Sequence, residues 1–104
     1  MFRRSRFADL IARQLDVFAE DEARGLLEEV RAAKAKYDHA ERAEAEEIYG
    51  DYVDVVEAAT EALADMRWRY ASTLDESSVE EYEAAFNRAV QKRWPPFGLE
   101  IGNR

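Results

Sequence analysis

The chain has 104 residues, 47% of them apolar and 12% aromatic, which suits a small domain with a real core and excludes a wholly disordered segment. Its 23 acidic residues against 15 basic ones give a formal charge of −8, so nonspecific nucleic-acid binding through a basic surface is not expected. Cysteine is absent, which excludes disulfides, thiolate nucleophiles and thiolate metal sites.

The first residues run against the overall charge. Arg3, Arg4, Arg6 and Arg13 share a stretch whose one acid is Asp9. Such a basic arm suits anionic lipid, RNA or an acidic patch on another chain, and a plain flexible tail is the competing reading. Phe7–Ile11 is followed at once by charges, so neither a secretory apolar region nor a transmembrane segment develops. A cytoplasmic location is the expectation.

Phe7, Leu10, Ile11, Leu15 and Phe18 fall on one face at helical period, and past Gly25 the stripe continues as Leu26, Val30, Ala33 and Tyr37, rotated by roughly a quarter turn. One helix over about 6–37 is predicted, with a bend near Gly25 as the alternative. Asp38 is a candidate N-cap for the next helix, with Glu41 closing a capping box.

That second helix is predicted over about 40–73. Ile48, Tyr52, Val55, Val56, Ala59, Leu63, Met66 and Tyr70 share one face, and Tyr49 and Val53 widen it to nearly half the circumference. A third helix over about 78–94 starts from a Ser78/Glu81 capping box, buries Val79, Tyr82, Phe86, Ala89 and Val90, and stops at Pro95 and Pro96. Residues 95–104 read as a docked or flexible tail.

The expected fold is therefore all-α and a single domain over 1–104, a long antiparallel helical hairpin plus a shorter third helix. The third helix is too short to cover the whole hairpin, yet the uncovered end is where the second helix is broadest in apolar residues. Ile48, Tyr49, Tyr52, Val53 and Val56 are accordingly predicted to form a homodimer interface, giving a coiled-coil-like helical bundle of two copies. Breakage and fold-back of the long helices into a four-helix monomer is the alternative.

Chemistry-bearing patterns are sparse. His39 is the single histidine and Lys36 stands three residues before it, so the Glu-x-x-His pairs of a di-iron site are missing. A metal site across a dimer, from His39 with Asp38 or Glu41, is the weak candidate, and an ordinary turn histidine is the favoured reading. Glu44, Glu47, Asp51 and Asp54 form the solvated side of an amphipathic helix, without the burial or paired neighbour that catalytic carboxylates need. Gly25, Gly50, Gly98 and Gly102 are isolated, so no phosphate-cradling loop is expected. No catalytic residue and no cofactor is assigned.

Trp68 projects on the side of Glu61 and Asp65, where solvent is expected; it reads either as a contact residue or as a surface covered by the tail or the third helix. The tail itself alternates Phe97, Leu99 and Ile101 with flexible or polar residues, an extended pattern suited to a groove of this protein or of a partner, with Trp94 beside it. This glycine–apolar segment is similar to the targeting tails by which cargo proteins enter encapsulin shells. The likeness is confined to these few residues, lacks the Glu-x-x-His signature of a ferritin-like cargo, and assigns no function.

Three functions are expected, in order. A non-catalytic helical protein-interaction or structural module, with a protein partner or a second copy, ranks first. A metal-binding protein or weak enzyme with a site formed across a dimer ranks second, and membrane-surface or RNA contact through Arg3, Arg4 and Arg6 third.

Overall fold

A computed structural model describes residues 6–20 and 24–104. Among the described residues the fold is all-α. Five helices, α1 (Ala8–Glu20), α2 (Arg24–Asp38), α3 (Ala45–Ala71), α4 (Glu76–Arg93) and α5 (Gly98–Gly102), pack into a bundle, with a 3-10 turn over Pro95–Phe97. No helix among them is long and apolar enough to cross a membrane.

The expected helix over 6–37 corresponds to α1 and α2, and residues 21–23 between them lie outside the described part. Gly25 lies inside the first turn of α2, with open space where a Cβ would sit. The rotation of the apolar stripe reflects a change of packing partner: α1 lies on α4, and α2 lies on α3.

Phe7, Ile11, Leu15 and Phe18 project from successive turns at the α1 side and are buried against the core formed by Tyr82, Ala85, Phe86 and Val90 of α4. The Phe7 ring meets Tyr82 edge-on at 5.4 Å, and Tyr70 lies 4.9 Å from Tyr82 on the other side. Tyr82 is fully buried and its hydroxyl donates to Gln14 Oε1 at 3.0 Å, which satisfies its polar tip. Burial pushes the Tyr82 phenol pKa up from its ordinary value.

Two expected caps are corrected. Asp38 ends α2 rather than starting α3, and its carboxylate accepts from Lys34 Nζ at 2.6 Å, one turn back in the same helix. Residues 39–44 form the connection, so α3 starts at Ala45 after Glu44 rather than near residue 40. At α4 the N-cap is Asp75, in extended conformation, and Ser78 is already helical and buried. The Ser77 and Ser78 hydroxyls both donate to the Asp75 carboxylate and hold its pKa below the ordinary range.

Pro95 ends α4 as expected: Trp94 before it leaves the helical region, with φ −132° and ψ 80°. The C-terminal segment departs furthest from the sequence reading. Phe97 to Gly102 is helical, not extended, and Phe97 and Ile101 are 1% and 0% exposed. Four residues apart, they share one face of the short helix and enter the core against α3 and α4.

Candidate interaction surface

Along α3 one seam of side chains recurs at alternating spacings of four and three residues: Tyr49, Val53, Val56, Thr60, Leu63 and Arg67. That spacing keeps a narrow stripe facing one neighbour over several turns. From Val56 onward the seam is buried; Val56 is 7% exposed, Thr60 and Leu63 0%, and Arg67 6%. The cover comes from this chain itself: α2, α4, the 3-10 turn and α5 all contact α3.

The polar members of the covered half are matched individually. Thr60 Oγ1 donates to the Val56 carbonyl at 2.7 Å. Arg67 donates through one terminal nitrogen to Asn87 Oδ1 at 2.6 Å and the Ile101 carbonyl at 3.0 Å, and through the other to the Arg104 backbone oxygen at 2.8 Å. Its Nε is buried without a hydrogen bond, and the nearest carboxylate contact is Glu83 Oε2 at 3.9 Å. A guanidinium supplying donors to α5 carbonyls is a favourable arrangement at a helix C-terminus. Gln91 adds a hydrogen bond to the Gly98 carbonyl at 2.9 Å, and Arg104 pairs with Glu61.

Toward the N-terminus of α3 the same seam loses its cover. Tyr49 is 49% exposed, Val53 is half-buried, and no residue from 31 to 55 is buried. Tyr37, Tyr49 and Tyr52 cluster at this end, with ring centroids 5.2 Å (Tyr37–Tyr49) and 6.3 Å (Tyr49–Tyr52) apart. Two clefts open where the cover stops, both bordered by Tyr52 and Pro96. One, about 290 Å³, lies along Tyr49, Val53 and Val56 and is rimmed by Glu57, Glu100 and Pro95. The other, about 190 Å³, runs over Leu27 and Val30 to Trp94 and Phe97 beneath Arg31 and Lys34. Hydrogen bonding to Asp38 raises the Lys34 pKa, keeping that rim cationic.

Of the residues expected at a dimer interface, Ile48, Tyr52 and Val53 are half-buried, Tyr49 is exposed, and Val56 is covered by the chain itself. The expected tail contacts separate. Trp94 lies 5.7 Å from Phe18 and 6.0 Å from Phe97, whereas Trp68 is 68% exposed, so the tail does not cover it. The Leu99 side chain lies outside the described part.

Of the basic arm, Arg3 and Arg4 lie outside the described residues. Arg6 is engaged: it donates to Ser78 Oγ at 2.6 Å, approaches Glu81 at 4.0 Å and stacks over the Phe7 ring at 4.7 Å. His39 is exposed in the turn after α2, and among the described residues no three His, Asp or Glu side chains gather into a metal-holding group.

Arg67 is the structural anchor that composition and apolar patterning pass over, although its place four residues after Leu63 on the seam was a readable signal. Comparison of the chain with protein-family models, curated proteins and solved structures finds no match.

Proposed function

We propose that this chain is a non-catalytic helical interaction module that pairs with a second copy through the bare end of the α2–α3 pair. One observation carries the reading: a continuous seam on α3 is buried by the chain itself from Arg67 as far as Val56, then continues through half-buried Val53 to exposed Tyr49. An apolar, aromatic surface contiguous with a core favours association over permanent hydration. A two-fold pair closes such a surface with one kind of contact. Buried seam residues carry packing and hydrogen bonds to α5, a structural role rather than a chemical one.

Sedimentation equilibrium of the full chain tests the reading. A dimer is expected for the native sequence, and Val53→Glu, which places a charge on the uncovered seam, is expected to sediment as a monomer with its helical circular dichroism retained. A native chain that stays monomeric at every accessible concentration overturns the reading.

A further inference from the structure

The two clefts that share Tyr52 and Pro96 differ in charge. The smaller is lined by Arg31 and Lys34 and by no carboxylate. The larger is lined by Glu57 and Glu100 and, among the described residues, by no lysine or arginine. Both glutamates are exposed, and the one cation near either is Arg104, 3.8 Å from Glu100 and itself paired with Glu61. The rest of the larger cleft is two phenol rings and four aliphatic side chains, Val53, Val56, Pro95 and Pro96. The Tyr49 and Tyr52 ring centroids lie 6.3 Å apart, with the rings inclined at 43°. At about 290 Å³ the cleft sits at the lower edge of small-molecule sites, which span roughly 300–1,000 Å³.

We infer that this cleft binds a small quaternary ammonium ion of the choline type. Two carboxylates with no basic residue between them select a cation over a neutral or anionic ligand. Aromatic rings attract a cation held within about 6 Å of their centroids, through the negative charge of the ring face. The aliphatic lining then decides which cation. A metal ion or a primary ammonium would have to give up hydrogen-bonding water there without replacement, which is costly. A quaternary ammonium carries its charge beneath methyl groups and has no N–H to satisfy, so it sheds water against valine and proline carbons at a gain. Tyr49 and Val53 are also the residues offered to a second copy in the pairing proposed above. Where both hold, cation and second copy compete, but the inference does not rest on the pairing.

Titration of the full chain with choline, followed by amide NMR shifts at dilute and at concentrated protein, tests the inference. Saturable shifts are expected around Tyr49, Tyr52, Val53 and Glu57. The neutral carbon isostere, in which a tert-butyl group replaces the trimethylammonium, is expected to bind roughly fivefold or more weakly. Glu57→Gln combined with Glu100→Gln, both at exposed positions that the fold does not need, should weaken choline binding roughly three- to tenfold. Tyr49→Leu, which keeps the apolar bulk and removes the ring, should weaken it about two- to fivefold. Asp65→Asn, an exposed acid of α3 that does not line the cleft, should leave it unchanged. Equal affinity for choline and its isostere, or an unchanged affinity in the double glutamine variant, overturns the inference, as does the lack of saturable shifts at both protein concentrations. A native chain that sediments as a monomer overturns the pairing and leaves the cation site standing.

Discussion

The two halves of α3 carry the same kind of seam and meet opposite fates. Between Val56 and Arg67 every seam residue is at most 7% exposed, and the polar ones, Thr60 and Arg67, hydrogen-bond to backbone carbonyls. Between Ala45 and Val55 no residue is buried; Tyr49 and Tyr52 gather with Tyr37, and Tyr52 and Val55 reach only the edge of the core. The difference does not come from the seam's own composition, since Val53 and Val56 are the same residue type one turn apart. It comes from what the fold brings to α3: α4, the 3-10 turn and α5 contact it besides α2, and Arg67 hydrogen-bonds to the Ile101 carbonyl. Apolar patterning along a helix thus marks a surface that something will cover without saying what covers it.

Substitutions in the two halves separate cover by the chain from cover by anything else. Leu63→Ala empties a fully enclosed site and is expected to lower unfolding stability by about 3 kcal/mol, whereas Val53→Ala costs the isolated monomer roughly 0.5 kcal/mol or less. Denaturant melts at the lowest workable concentration measure both, and equal losses would erase the contrast between the halves.

Arg67→Met keeps most of the volume but withdraws the donors to Asn87, Ile101 and Arg104, with an expected loss of roughly 2–3 kcal/mol. Amide exchange over α5 should rise well before exchange over α1 does. Arg67→Lys should recover little, because an ammonium cannot reproduce the planar fork. Unchanged α5 exchange in Arg67→Met would show that Phe97 and Ile101 hold the segment unaided.

Tyr82 sharpens the comparison by pH. Its phenol pKa is raised in the folded state by burial, so the unfolded chain loses the proton first as pH climbs. Stability contributed by the neutral phenol is therefore intact below about pH 10 and declines as pH rises above it toward the folded pKa. Tyr82→Phe should flatten this alkaline limb, while costing about 1 kcal/mol at neutral pH through the lost hydrogen bond to Gln14.

The smallest effect is expected at Gly50, on the exposed side of α3 with no atom within 4 Å of where a Cβ would sit. Gly50→Ala should raise monomer stability by about 0.5–1 kcal/mol through helix propensity alone. A loss instead would mean that this position is closely approached in the associated state, and comparison across protein concentrations distinguishes the two.

Much of the bundle was legible in advance. The apolar periods of Phe7–Phe18, of Ile48–Tyr70 and of Val79–Val90 correspond to α1, α3 and α4, and the residue before Pro95 leaves the helix where proline geometry requires it. The errors lie where a local pattern admitted two structures. Asp38 can cap a following helix or close a preceding one, and its contact with Lys34 selects the second. Phe97, Leu99 and Ile101 alternate like an extended strand, yet Phe97 and Ile101 are also one helical turn apart, and two flanking glycines conceal the second pattern. Trp68 is exposed, in keeping with its place beside Glu61 and Asp65 on the helix, and the cover expected from the tail or the third helix is not there.

What the amino-acid sequence determined by itself is which faces of which helices are apolar, because side-chain direction repeats every 3.6 residues and needs no knowledge of distant chain. It also shows that no thiol is present, because cysteine is absent from its 104 residues. The tertiary structure alone decided that α1 turns to α4 while α2 stays on α3, that Arg67 becomes a buried clamp on α5, and that the α3 seam is buried only from Val56 onward. These outcomes depend on contacts between residues tens of positions apart. Such contacts are set by how well whole surfaces fit when they meet, a quantity that no local repeat encodes.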